Sequence, residues 1–85
     1  MTHTLKTWPE YFIEIEKGRK KFDLRKEDRL FEIGDKIILQ EFDPGDGYSG
    51  KEIEKVASYI LRGPVFGLKK GHCIISLEDF SQTDY

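Results

Sequence analysis

Several features that define special classes of protein are scarce or absent in this chain. Cysteine occurs once among the 85 residues, so an internal disulfide is excluded, and with it a disulfide-stabilised scaffold. Cys73 is followed by two isoleucines, which predicts a buried structural thiol rather than a nucleophile. No apolar run approaches the roughly 18 residues that span a bilayer, and no hydrophobic secretory segment opens the chain. We therefore expect a cytoplasmic protein that makes no membrane contact.

A large excess of one charge is also lacking. Fourteen Lys and Arg oppose sixteen Asp and Glu, a formal net charge of -2, so the bulk charge does not indicate a nucleic-acid-binding protein. The charge is unevenly distributed, however. Residues 17–29 hold seven basic and three acidic residues, a local net of +4, against seven basic and thirteen acidic residues elsewhere. This asymmetry is compatible with an anionic partner at one face, and a solvated, salt-bridged surface is the alternative.

The length limits what kind of site the chain can hold. Eighty-five residues correspond to a single domain, 1–85, because domains usually contain roughly 100 to 200 residues. A domain this small has no room for a large enclosed cavity, so any site should be a surface cleft. The 38% apolar and 13% aromatic content is too high for a disordered chain. We expect a compact fold.

Hydrophobic periodicity predicts one short helix among five strands. Pro9 and Glu10 are typical of a helix start, and Gly18 of a helix stop. A slip in the alternation between Ile53 and Tyr59 predicts a β-bulge. The predicted strands are Thr2–Trp8, Lys20–Arg25, Lys36–Phe42, Glu52–Leu61 and His72–Phe80. This order indicates an α+β, mainly β fold, in which a small and mostly antiparallel sheet closes into a partial barrel with the helix over one opening.

The second predicted strand carries the most informative pattern. Phe22 and Leu24 alternate with charged residues, which predicts that the two apolar side chains face the core while Lys21, Asp23 and Arg25 face solvent. Lysine and arginine on such a face can bind phosphate, and the carboxylate can orient the arginine or accept a hydrogen bond from a base amine. The alternative is that Asp23 only pairs with a neighbouring cation, which contributes about 0.2 to 1 kcal/mol.

The same stretch resembles a known family. Gly18, Lys20, Asp23 and Arg25 resemble the G-x-K-x-x-E-x-R signature of ASCH domains, which are PUA-like barrels. Nearly the whole chain resembles the small bacterial and phage DUF3850 family, which is ASCH-related. The segments that carry this closer resemblance are His3–Lys6, Pro9–Phe12, Phe22–Lys26, Arg29–Asp35 and Glu41–Pro44.

The resemblance implies a fold, a site and a function. The fold would be a PUA-like barrel of five to six strands, and a basic cleft beside the helix would bind RNA or a modified nucleotide through Lys20, Asp23 and Arg25. Asp23 replaces the glutamate of the signature, which shortens the carboxylate by one methylene. Arg19, Lys21, Lys6 and His3 are further candidates for the same cleft, with an exposed surface histidine as the alternative reading of His3.

Two other functions remain open at this point. Some ASCH proteins are similar to small amidohydrolases that act on acetylated cytidine, where Lys20 would match a working lysine and Asp23 stands at the position of a threonine. A non-catalytic regulatory protein that dimerises through an open barrel edge is the second. We expect no metal, because neither His3 nor His72 has metal-ligand spacing with Cys73 or with each other, and we expect no cofactor. Of the aromatic residues, only Tyr48 at a glycine-rich hairpin tip is expected to be exposed, the rest being mostly core.

Overall fold

The computed structural model describes residues 1–80, within which one short helix and five strands form a mainly β fold. The predicted domain, 1–85, ends five residues beyond the described part. The elements are β1 (Thr2–Thr7), α1 (Pro9–Glu16), β2 (Phe22–Lys26), β3 (Lys36–Asp43), β4 (Gly47–Arg62) and β5 (His72–Glu78). The element order and the bulge are confirmed, the latter as a register shift between Ala57 and Tyr59.

The five strands form one curled, half-barrel sheet in the order β1-β3-β4-β5-β2. The pairing of β1 with β3 is parallel and the other three pairings are antiparallel, as expected for a mostly antiparallel sheet. β1 and β2 follow one another in the chain but form the two opposite edges of the sheet. A hydrogen bond from Arg25 Nη2 to the Lys6 carbonyl, 3.1 Å long, joins these two edges across the gap between them, here called the seam.

The helix begins and ends where the sequence predicts. Pro9 occupies its first turn, and Gly18 follows it with a φ of +79°, a left-handed conformation that favours glycine. Phe12 and Ile15 are buried, and Ile15 belongs to the core cluster. The core otherwise consists of inward-facing residues from the strands together with Phe31 from the β2–β3 connection: Leu5, Ile37, Leu39, Ala57, Ile60, Cys73, Ile75 and Leu77.

Cys73 is a buried free thiol, as predicted. Burial raises its pKa, with a further contribution from the carboxylate of Glu27. A thiol is nucleophilic only as the thiolate, so both effects disfavour a catalytic role.

The prediction that Phe22 and Leu24 of β2 face the core is wrong. Asp23 is only 6% exposed, whereas Phe22 and Leu24 are 46% and 56% exposed, so the charged face of the strand is the inward one. The physical reason is the position of β2 at the seam. Here the inward direction leads to the neighbouring edge strand, whose Lys6 carbonyl accepts from Arg25, and Asp23 holds that arginine in place. The apolar residues are displaced to the outer face.

This inversion gives a direct stability prediction. Replacing Leu24 by threonine should change the free energy of unfolding by less than about 0.5 kcal/mol, since an exposed side chain leaves no cavity. A buried leucine truncated to a smaller residue would cost about 2 to 5 kcal/mol. Denaturant titration of Leu24→Thr beside the buried-site variant Leu39→Ala separates the two cases. A loss of similar size in both variants would contradict the observed facing of β2.

The expectation that most aromatic residues are core is also wrong. Tyr48 is exposed as predicted, although it lies within β4 rather than in the turn. Six further aromatic side chains of the described chain are exposed: Trp8, Tyr11, Phe22, Tyr59, Phe66 and Phe80. Only Phe22 and Tyr59 of these six lie in strands, whereas Trp8 and Tyr11 lie at the start of α1 and Phe66 and Phe80 lie outside the strands. One sheet with one short helix leaves such positions in contact with water.

Within residues 1–80, no helix has the length and apolar character needed to cross a membrane.

Candidate functional site

The site begins at the sharp reversal between α1 and β2. Gly18 takes the left-handed conformation, and the next two amide groups, of Arg19 and Lys20, both donate to the carbonyl of Glu14 at 2.9 and 3.0 Å. These bonds satisfy a carbonyl of the last helical turn. As a result the chain enters β2 directly beside the helix, and Lys20 lies between the two elements.

Asp23 and Arg25 form an ion pair at the seam of the half-barrel. Arg25 Nε donates to Asp23 Oδ2 at 2.5 Å, while its Nη2 donates to the Lys6 carbonyl. The other carboxylate oxygen, Oδ1, lies 3.9 Å from Lys20 Nζ, too far for a hydrogen bond. The Asp23 side chain is only 8% exposed. The carboxylate is therefore fixed through Oδ2 and keeps acceptor capacity at Oδ1.

The ammonium of Lys20 lies among aromatic rings. Nζ donates to the Phe22 carbonyl at 2.7 Å and lies 4.6 Å from the Phe22 ring centroid and 5.6 Å from that of Tyr11. Burial is the main effect that lowers the pKa of this amine; the nearby carboxylate of Asp23 opposes the shift, and Arg25 adds to it. Lys20 thus presents a partly desolvated cation, whose interaction with an anion is stronger than that of a fully hydrated surface lysine.

These side chains border an open depression of about 370 Å³, here called the aromatic groove, lined by Tyr11, Lys20, Phe22, Asp23 and Leu24. Its size falls within the range of small-ligand sites. It combines two rings, one cation and one carboxylate, a set that can stack on a flat ligand while forming polar contacts to its edge.

A second depression of about 520 Å³ lies beside the helix and shares Lys20 with the aromatic groove. Its other basic residues are Lys21 and Lys55, and we call it the lysine cleft. Lys55 Nζ lies 2.5 Å from the Asp79 carboxylate. The predicted basic cleft beside the helix thus corresponds to a mixed-charge surface on one side of Lys20 and an aromatic surface on the other.

The remaining predicted residues lie elsewhere. Arg19 forms a two-point ion pair with Glu14, at 2.6 and 2.8 Å, on the exposed end of the helix. The Lys6 ammonium lies 4.4 Å from the Phe42 ring centroid, so this residue contacts the site through its backbone carbonyl. His3 is buried, and its Nε2 donates to Asp35 at 2.7 Å. The structure thus brings together Lys20, Asp23 and Arg25, with Lys21 alongside.

Sequence reasoning missed the walls of the groove. Tyr11 and Phe22 were interpreted as core residues, yet they flank Lys20 on the outside of the fold. The alternation in β2 shows that Phe22 and Leu24 share a face, but it does not show that this face is the outer one. As to metals, no group of three or more His, Cys, Asp or Glu side chains within the described part could hold an ion.

Comparison with known proteins shows a family that this chain matches. The DUF3850 family, described as a domain of unknown function, matches residues 2–77. An uncharacterized 12.9 kDa protein of the GpA 3' region of Escherichia phage P2 is 36% identical over 52 residues, which is 61% of this chain and 47% of the phage protein. The match thus spans about half of that relative's length.

Proposed function

This chain belongs to the DUF3850 family, and on that premise we propose that it is a PUA-like, ASCH-related binding module that accepts a nucleotide, free or within RNA, in the aromatic groove. The curled five-stranded sheet, the helix after the first strand and the Lys20, Asp23, Arg25 signature support the PUA-like assignment. The observation that carries the function is the position of the Lys20 ammonium, which lies near the exposed rings of Tyr11 and Phe22 and 3.9 Å from Asp23 Oδ1, an oxygen that keeps its acceptor capacity.

Each component of the groove matches one part of a nucleotide. Tyr11 and Phe22 offer ring surfaces on which a base can stack, a contact that contributes about 1 to 3 kcal/mol per base. Asp23 Oδ1 can accept a hydrogen bond from an exocyclic amine, so bases that carry one are favoured over uracil. Lys20 can pair with the phosphate, and Lys21 in the adjoining lysine cleft can bind a neighbouring one.

Replacing Lys20 by alanine tests this function. We expect affinity for a fluorescently labelled RNA to fall about tenfold, which is about 1.4 kcal/mol, because the phosphate loses its partly desolvated partner. Binding by the native protein should weaken as salt rises, with a shallower slope in the variant. Lys51→Ala makes the same change of charge at an exposed position of β4 outside the groove, and it should bind like the native protein. Equal affinity for native, Lys20→Ala and Lys51→Ala proteins would refute the proposal.

The pKa of Lys20 also favours a second candidate, an amidohydrolase that acts on acetylated cytidine. An amine whose pKa is lowered by burial holds more of the neutral form at a given pH and is a better nucleophile or base. Water would be the co-reactant, and cytidine and acetate the products. Release of acetate by the purified protein, abolished in Lys20→Arg, would establish this activity in place of simple binding.

A further inference from the structure

The loop between β4 and β5 ends in a tight turn that presents a bare aromatic ring. Val65 and Leu68 exchange two backbone hydrogen bonds, 2.7 and 3.2 Å long, around Phe66 and Gly67. Both central residues have positive φ, +44° and +86°, as a type I′ turn requires. Phe66 has a relative exposure of 104%, so nothing in the described chain covers its ring.

Phenylalanine at position 66 does not favour the stability of this turn. The first central position of a type I′ turn favours asparagine, aspartate or glycine, because other side chains are strained at positive φ. The ring is also fully hydrated, so folding buries none of its apolar surface. A position with both disadvantages is explained by a contact made outside the fold.

The turn is held at a fixed place beside β2. The amide of Glu27, which follows β2, donates to the Gly71 carbonyl at 2.7 Å, and the amide of Gly63 donates to the His72 carbonyl at 3.0 Å. The backbone packs so closely that a Cβ at Gly63 would lie 2.0 Å from the Lys69 carbonyl oxygen. The turn at Phe66 and Gly67 is therefore held in place by the backbone contacts at the base of the loop.

The loop is continuous with the aromatic groove. Leu24 lines that groove and also a second one, of about 260 Å³, whose other walls are Gly67, Leu68, Lys69 and His72. Positive charge continues along the same path, because residues 63–77 contain Lys69 and Lys70 but no aspartate or glutamate. A chain leaving the groove over Leu24 thus meets Lys69 on the wall of the second groove, and Lys70 and Phe66 directly adjoin wall residues in the sequence.

We propose that this loop is a second contact for a single-stranded nucleic acid whose first nucleotide occupies the aromatic groove. Phe66 stacks on a base further along the strand, and Lys69 and Lys70 pair with the intervening phosphates. The inference rests on the proposed function for the first nucleotide and extends it. The ligand is an unpaired strand several nucleotides long, because a free nucleotide cannot contact both sites.

The test compares two ligands of different length, an RNA of about eight nucleotides and a nucleoside monophosphate. We expect Phe66→Ala, and separately the double variant Lys69→Ala with Lys70→Ala, to weaken binding of the RNA about tenfold and to leave binding of the monophosphate unchanged. Tyr59→Ala removes another exposed ring, from β4, and should bind both ligands like the native protein. All these side chains are outside the core, and coincident thermal melts will show that the variants are folded.

The outcomes separate the two proposals. In one outcome, Lys20→Ala loses affinity for both the RNA and the monophosphate, while Phe66→Ala and the lysine double variant bind the RNA like the native protein. This result overturns the loop contact and leaves the groove function intact. Native binding of both ligands by Lys20→Ala refutes the groove function itself. If Phe66→Ala converts a dimer into a monomer in light scattering without changing affinity for RNA, the ring serves self-association and the loop proposal is wrong. A single-stranded DNA of the same length, measured alongside, shows whether the 2′-hydroxyl contributes.

Discussion

Replacing Asp35 by alanine lowers the free energy of unfolding by about 3 kcal/mol or more, the largest loss expected from one substitution outside the apolar core. Asp35 is 5% exposed, and its Oδ2 accepts from His3 Nε2 at 2.7 Å and from the Glu32 amide at 2.9 Å. Its Oδ1 lies 3.1 Å from the amino group of Met1. Removing the carboxylate leaves the buried imidazole of His3 without its acceptor.

The same group makes stability depend on pH. Burial would raise the pKa of Asp35, but hydrogen bonds from His3, the Glu32 amide and the Met1 amino group outweigh it and lower the pKa to about 2. A carboxyl whose pKa is lower in the folded state stabilises the fold above its unfolded pKa. That contribution, about 2 kcal/mol, is lost as the pH falls from about 4 to about 2.

Urea titrations of native protein and Asp35→Ala at neutral pH measure the first effect, and titrations of native protein and Asp35→Asn between neutral and strongly acidic pH measure the second. The difference in stability between the two proteins should be largest at neutral pH and should shrink in acid. Asp28→Asn, at an exposed site next to Arg29, changes the same charge and should cost less than about 0.5 kcal/mol. A constant difference between native and Asp35→Asn proteins at all pH values would contradict the lowered pKa.

Arg25→Ala is expected to damage both the fold and the site. One guanidinium holds the buried Asp23 carboxylate and also joins the two sheet edges through the Lys6 carbonyl. Its removal leaves Asp23 with Lys20 at 3.9 Å as its nearest cation, and we expect a loss of about 2 to 3 kcal/mol in unfolding free energy together with weaker RNA binding. Lys26→Ala, the next residue and an exposed one, is the matched control.

The geometry of the arginine fork supplies a sharper test. Arg25→Lys keeps the charge, but an ammonium cannot reproduce two divergent donors, so this variant should recover only part of the stability. In a double-mutant cycle, Asp23→Ala combined with Arg25→Ala should be less destabilising than the sum of the single changes, because each single change leaves a buried partner unpaired. Additive losses, or full recovery with lysine, would show that the pair does not act as a unit.

Local signals predicted most of the elements. Pro9 and Gly18 define the helix because each is restricted by its own backbone chemistry. Alternation located all five strands, yet it shows only which residues share a face and not which face is buried. The rule that apolar residues face inward fails at Phe22 and Leu24, since β2 is an edge strand whose inward side meets a polar seam.

The site was predictable in part for a similar reason. Lys20, Asp23 and Arg25 lie within one short segment, so their proximity follows from the sequence. The walls of the groove depend on how the Tyr11 side chain of α1 approaches Lys20 and Phe22, and the position of Phe66 depends on the docking of a loop more than forty residues later in the chain. Contacts between residues so far apart in the sequence depend on the tertiary fold, which the local sequence pattern does not specify.

The pairing of β2 with β5 has a consequence for biosynthesis. Phe22 pairs with Ser76, so the strand that carries the signature has its hydrogen-bonded neighbour about fifty residues further along the chain. During translation the first helix and β2 leave the ribosome early, but β2 has no neighbouring strand until β5 emerges. If the chain binds a nucleotide as we propose, a nascent chain shorter than this lacks the paired β2, and binding arises together with the last strand.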